Sequence, residues 1–452
     1  MAQIAHNPDM QPDYKTTMEL GAVLPLTAEV RDGHLWIGGV DTVKLAREMG
    51  TALYVMDEEH IRTQLRQFLE WTRCHWKDVD IVYACKAFIS KALCRLVHEE
   101  GCFLDVSSGG ELAIALAAGF PPERIVSHGN NKTFRELAEA IDAGVGRIVV
   151  DSLEELARID HIAQERNLTQ PILIRVTPGV VADTHEYMQT GAEDSKFGFG
   201  LRDGLAMEAI QKAISLPSID FKGLHMHIGS QIFALNSYAK AIEVMVHFMD
   251  EIRTKTGFVI SELNAGGGLG VAYGVLDAPS TIQQFGKVIV DDIKEHCDQH
   301  GLPVPRIMIE PGRAVVANAG VTLYTVGTIK HIPGVRTYVA VDGGMSDNIR
   351  KALYSAHYEP VIANRADKPR DTVVTIAGKH CESGDVIIVD TPLQQAEIDD
   401  VLCVFATGAY CQSMASNYNK QVRPGVVFVR DGKARLVVRR ETYDDLMLCE
   451  VE

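Results

Sequence analysis

The chain has 452 residues, 46% hydrophobic and 23% charged, an ordinary composition for a soluble protein and too much chain for one typical domain. Its formal net charge of −16 repels phosphate backbones and anionic lipid, which excludes nucleic acid and membrane as partners. A small anionic ligand is compatible with that charge where arginines cluster locally.

The segment from Met1 to Tyr14 is polar and lacks the apolar core of a signal peptide. No run approaches the ~20 apolar residues of a membrane helix. Nine cysteines with no CxxC spacing argue against a disulfide framework or a zinc ribbon and point to a cytoplasmic protein. Most of them, such as Cys85 and Cys102, lie in apolar runs and read as inert core residues.

Residues 1–48 form an N-terminal segment with short β pieces such as Leu35-Trp36-Ile37, expected to pack with a β domain. Residues 49–311 alternate apolar strand-like runs with helix-period segments such as Glu111 to Ala118 and Glu136 to Ala143. Repeated β-α units of this kind predict an α/β fold with a closed (β/α)8 barrel. Nine strand-like runs are visible, one more than a barrel needs, so the first (Leu53 to Met56) or the last (Ile307 to Ile309) belongs to the neighbouring domain. From 312 to 452 the helical rhythm fades. Strand-like runs dominate and end in a hairpin turned at Asp431-Gly432, which predicts a mostly β C-terminal domain.

Several side chains have chemical potential in these places. Lys86 follows the apolar run ending at Ala84 and shares a face with Val82 and Ala84, whose small size leaves room beside the amine. Taken alone it reads first as a lysine snorkelling from a strand end. His225 and His227 alternate on one strand, a pattern open to a metal-dependent hydrolase, to stacking on an aromatic cofactor, or to a core histidine bonded to backbone. No matched set of further ligands stands out, so no metal is expected. Gly229-Ser230 and Gly266-Gly267-Gly268 are loops whose backbone N–H groups can approach phosphate, at about the seventh and eighth strands. Glu310, in Glu310-Pro311-Gly312-Arg313, suits a protonated pyridine nitrogen or an ion pair with Arg313.

The motifs taken together resemble the diaminopimelate decarboxylases, pyridoxal-phosphate enzymes of the alanine-racemase-like fold group. The match runs from about residue 30 to the C-terminus. It rests on Tyr83-Ala84-Cys85-Lys86-Ala87, Asp105 to Glu111, His128-Gly129-Asn130-Asn131-Lys132, Thr184 to Gly191, Asp194 to Gly198, His227 to Gln231, Glu310 to Arg313, Cys381-Glu382-Ser383-Gly384-Asp385 and Gly408-Ala409-Tyr410. The resemblance implies pyridoxal 5′-phosphate as cofactor, covalently held by Lys86 and contacted by Asp105, His227, Ser230, Gly266 to Gly268, Glu310, Pro311, Gly312, Arg313 and Tyr410. It implies Cys381 as the proton donor, and Arg313, Arg350, Tyr354, Glu382 and Tyr410 as substrate contacts. It further implies a homodimer in which Cys381 and Glu382 reach the other subunit's cofactor. The implied reaction converts meso-2,6-diaminopimelate to L-lysine and CO2, the last step of lysine biosynthesis. Alternatives are a related decarboxylase acting on a D- or carrier-bound amino acid, and a non-catalytic carrier of the cofactor.

Overall fold

The computed structural model describes residues 16–180 and 195–451. Eight parallel strands close into a barrel: Val79–Ala84, Phe103–Val106, Ile125–Ser127, Arg147–Val150, Gln170–Thr177, Ile219–His225, Glu262–Asn264 and Arg306–Ile309. The last pairs with the first through Ile309 opposite Ile81, which removes both edges. Alternation along these strands splits the apolar residues into two cores. Val82, Val126, Val149, Leu173 and Met308 fill the barrel interior, and a larger set packs outward against the helices.

The connecting helices begin at short polar residues. Ser90, Ser108, Thr133 and Ser152 each accept a backbone N–H of the first helical turn, and Thr133 with Glu136 closes a reciprocal capping box. These caps start the helices immediately after the carboxyl ends of the strands, so the βα loops stay short. The helices expected over 111–118 and 136–143 are found at Gly109–Ala117 and Phe134–Ala143.

The extra strand is the first one. Leu53–Asp57 is buried along its whole length and lies in the middle of a second, nine-stranded mixed sheet. It pairs antiparallel with Gly320–Ile332 and parallel with Gly425–Arg430. A strand covered on both faces reads as a continuous apolar run whether it lies in a barrel or a central sheet position. The barrel strands therefore count from Val79, and the two glycine-bearing loops follow the sixth and seventh strands rather than the seventh and eighth. The hairpin Gly425–Arg430 to Lys433–Val438 turns at Asp431 and Gly432, both at positive φ, as a two-residue hairpin turn requires.

One aromatic column supports the loop after the seventh strand. Phe285 of helix Ile282–Gln299 meets Phe68 edge-on at 6.3 Å and Tyr238 at 5.0 Å, and the Tyr238 hydroxyl donates to the carbonyl of Gly267 at 2.9 Å. Removing the Phe285 ring leaves a cavity among three helices. Phe285→Ala should destabilise the protein by about 3–5 kcal/mol, read as a lower guanidinium unfolding midpoint, whereas Tyr238→Phe should cost only about 1 kcal/mol.

Candidate active site

The polar groups of the site lie at the carboxyl ends of the barrel strands, where such barrels carry their chemistry. Lys86 sits in the short turn Cys85–Ala87 after the first strand, and its amine opens onto a cavity of about 190 Å³. Burial pulls the amine's proton affinity down, but Asp105, Tyr410 and Glu310 outweigh it and raise it above the ordinary lysine value. Asp105 is buried in the second strand, 3.8 Å from His128.

Glu310 follows the eighth strand and is buried. Its Oε1 accepts from Asn264 Nδ2 at 2.7 Å and its Oε2 from His225 Nε2 at 3.1 Å. His128 Nε2 lies 2.8 Å from Oε1 but out of line for a hydrogen bond, so its contribution is Coulombic. Burial alone would push the Glu310 carboxyl up; His128 and His225 outweigh it and hold it well below the usual carboxylate range. Burial lowers His225 to about 4, so the ring is neutral at pH 7 and donates from Nε2, with Nδ1 left unpartnered. His227 faces the cavity, and burial followed by the Lys86 and Arg175 cations keeps its ring neutral as well.

The loop after the seventh strand has no room for side chains. A Cβ on Gly267 would lie 1.9 Å from the Glu310 carbonyl oxygen. One on Gly268, at φ +111, would lie 2.2 Å from the Gly229 carbonyl oxygen. Glycine here lets the backbone approach a ligand closely. Gly267 N–H points to His227 Nδ1 at 3.3 Å, so the loop and that imidazole share one wall.

The β domain supplies the opposite wall. Arg313 donates to Tyr273 Oη at 2.5 Å and to Ser230 Oγ at 3.1 Å, and lies 4.8 Å from the Tyr410 ring centre. Arg350, on the short helix Arg350–Tyr354, lies over Tyr354 at 5.1 Å and Tyr410 at 5.4 Å. Its Nε is buried with no hydrogen-bond partner. Tyr410, at φ +60, donates its N–H to the Ala87 carbonyl at 2.8 Å, which pins it beside the Lys86 turn.

Of the residues expected at the site, Lys86, His227, Ser230, Gly268, Glu310, Pro311, Gly312, Arg313, Arg350, Tyr354 and Tyr410 line this one cavity. Gly266, Gly267 and Asp105 lie in its supporting shell. Cys381 and Glu382 do not line it. They are exposed on the turn after Thr372–Ala377, where Cys381 N–H donates to Asn419 Oδ1 at 2.9 Å. The motif Thr184 to Gly191 and Asp194 fall outside the described residues.

Residues 59–317 match the family described as "pyridoxal-dependent decarboxylase, pyridoxal binding domain". Diaminopimelate decarboxylase of Bacillus subtilis is 49% identical over 415 residues, covering 92% of this chain and 94% of that protein. The enzyme of that name from Mycobacterium tuberculosis is 43% identical over 428 residues, covering 93% and 95%. Among solved structures, diaminopimelate decarboxylase from M. jannaschii in complex with L-lysine superposes with a TM-score of 0.89 at 36% identity, covering 94% of this chain and 98% of that one. The chain belongs to the diaminopimelate decarboxylase family.

Pyridoxal phosphate is the family's cofactor, and the residues present fit it. A lysine amine opens onto the cavity, a neutral flat imidazole lines it, an ionised carboxylate is buried beside it, and a side-chain-free glycine loop forms one wall. The geometry also corrects one expectation and decides between two pairs of alternatives. The sixth strand ends at His225, so His227 lies beyond it and the two imidazoles face different partners. His225 is bonded to Glu310 rather than to backbone. Among the described residues Glu310 is held by His128, His225 and Asn264, and makes no ion pair with Arg313. His128, His225 and Glu310 have their ligand-type atoms within 4.8 Å of one another, but donor nitrogens already face both Glu310 oxygens, which is the polarity of a hydrogen-bonded network.

Asn264, His128 and Tyr273 carry no role in the sequence reading. The usable signal for the first two was a polar residue closing or following an apolar barrel strand. Tyr273 lacked even that, because its contact to Arg313 spans forty residues.

The lowered histidine sets a stability window. Below pH 6.5 the unfolded chain binds a proton at His225 that the folded chain refuses until about pH 4, so stability should fall as pH drops through that range. His227 and His60 are shifted in the same direction and steepen the fall. His225→Gln, which keeps a neutral donor for Glu310, should flatten it. The guanidinium midpoint of the cofactor-free protein against pH is the measurement.

Proposed function

We propose that this chain decarboxylates meso-2,6-diaminopimelate to L-lysine and CO2, as a cytoplasmic enzyme of lysine biosynthesis. The observation that carries this reading is the pair of guanidiniums on the cavity that also holds the Lys86 amine. Arg350 Nε is buried without a partner, and Arg313 is braced by Tyr273 and Ser230. A substrate with a second amino-acid end offers a distal carboxylate for such groups, whereas lysine entering as a substrate through its α-amine would offer only an ammonium there.

When bound, pyridoxal phosphate supplies the electron sink for the charge left on carbon by loss of CO2. Lys86 Nζ is the covalent anchor. Glu310 would keep the ring nitrogen's proton in place, and His227 would lie against the ring. Asp105 sits behind Lys86 and balances its charge. Ser230, Gly266 to Gly268 and Tyr410 would receive the phosphate, with Pro311 and Gly312 closing the wall. Arg313, Arg350, Tyr354 and Tyr410 orient the substrate, and Glu382 receives the distal ammonium. Cys381 Sγ delivers the proton to the carbon.

Cys381 and Glu382 are exposed and outside their own subunit's cavity. Their roles therefore require a homodimer in which this turn enters the partner's site. Both ends of each site are then fixed only on assembly, and water is excluded by the same contact.

The direct test is release of CO2 from meso-diaminopimelate with L-lysine as product. Lys86→Ala should leave almost no turnover, and borohydride reduction of the wild-type protein followed by peptide mapping should find the cofactor on Lys86. No CO2 release, or a label elsewhere, overturns the reading.

Subunit mixing tests the shared site. Lys86→Ala and Cys381→Ala subunits are each inactive alone. After free exchange, activity should approach about a quarter of wild type, because half the dimers are mixed and each carries one intact site of two. Mixed dimers that form and stay inactive would place Cys381 in its own subunit's chemistry.

A further inference from the structure

We propose that Asn264 is a positioning residue that locks the Glu310 carboxylate to the glycine loop, so that one amide aligns the partner of the ring nitrogen with the cradle for the phosphate. The proposal deepens the functional reading above and rests on its assignment of Glu310. Asn264 ends the seventh strand and is wholly buried. Its Nδ2 donates to Glu310 Oε1 at 2.7 Å, and its Oδ1 accepts from Gly266 N–H at 2.9 Å. The Glu310 N–H in turn donates to the Gly266 carbonyl at 2.7 Å. Side chain and backbone thus close a ring of three hydrogen bonds among Asn264, Gly266 and Glu310. A carboxamide is the side chain of this size that can donate to a carboxylate with one end and accept a backbone N–H with the other.

Aspartate at this position keeps the acceptor for Gly266 and loses the donor to Glu310. It also sets two carboxylates against each other in a buried site, where both cannot stay ionised and the pair retains a proton to higher pH. The charged and titratable groups facing Glu310 are His128, His225, His227, Asp105, Lys86 and Arg175, and the substitution replaces none of them. Leucine, by contrast, loses both ends of the bridge at nearly constant volume.

Three measurements on Asn264→Asp and Asn264→Leu test this. They are the unfolding midpoint of the cofactor-free protein, the dissociation constant for pyridoxal phosphate by equilibrium dialysis, and turnover against pH. For Asn264→Asp the dissociation constant should stay within about threefold of wild type while turnover falls about tenfold or more near pH 6.5, each hydrogen bond to a charged group being worth that much. The deficit should shrink as pH rises and the carboxylate pair loses its shared proton. For Asn264→Leu the dissociation constant should rise about tenfold, with no recovery at high pH. A deficit independent of pH in Asn264→Asp, or losses that merely follow a lowered unfolding midpoint, would make Asn264 a structural residue. If Asn264→Asp does not fold, an unchanged dissociation constant in Asn264→Leu overturns the proposal by itself. The unfolding and dialysis arms need no substrate, so failure of wild type to act on meso-diaminopimelate would strike the functional reading and leave them interpretable.

Discussion

An ionised carboxylate buried at the end of a barrel is costly unless donors reach it, and Glu310 is such a group. Its two donors, His225 and Asn264, come from the ends of the sixth and seventh strands, and the His128 imidazole beside it follows the third; all are far apart in sequence and close only because the barrel closes. The register aligns them: His225 pairs beside Asn264, and Asn264 beside Met308, two residues before Glu310. Strand pairing, not local sequence, therefore determines whether the carboxylate is paired and charged. Hydrogen bonds run from that cluster through Asn264 into the glycine loop, and through Gly267 to His227 and Tyr238. A displaced strand end would disturb the carboxylate, the loop and the His227 imidazole together.

The second sheet completes the cavity from the other side, and its anchoring relies on buried acids. Asp347 accepts from Gly344 N–H at 2.9 Å and from the Tyr324 hydroxyl, and Asp385 accepts from Met345 N–H at 2.6 Å. Both carboxylates clamp the loop over 343–348 that leads into Arg350. Asp385 also holds His380 through its N–H and Nδ1, at 2.8 and 2.9 Å, and so fixes the start of the Cys381 turn. Burial pushes Asp347 up to about 7, against the pull of the hydrogen bonds it accepts from Tyr324 and Gly344. The same small loop thus sets the geometry of a cavity residue and of the exposed cysteine turn.

Much of the fold was legible because its signals are periodic. Eight β-α units announce a parallel barrel, and the glycine runs mark the two loops where backbone approaches closely. The assignment of Leu53–Asp57 was open for a physical reason: an all-apolar strand carries no mark of which sheet covers it. Lys86, Glu310 and Arg313 stood out as polar residues beside apolar strands. Asn264 and His128 occupy equivalent positions and passed without a role, since nothing local distinguishes an amide that bridges two functional elements from one that satisfies backbone. Arg350 and Tyr354 were legible only through the family motif; in sequence each resembles an ordinary surface residue.

The sequence by itself determined the element types, the closed barrel with a β partner domain, the family and the cofactor, because these depend on periodicity, glycine placement and motif order. Tertiary structure alone decided that Glu310 is held by His128, His225 and Asn264 and not by Arg313, and that His227 parts company with His225. It also decided that Cys381 and Glu382 lie outside the cavity that holds Lys86. Those outcomes depend on distances between residues far apart in the chain. A distance of that kind is fixed by strand register and domain packing, which no local pattern encodes.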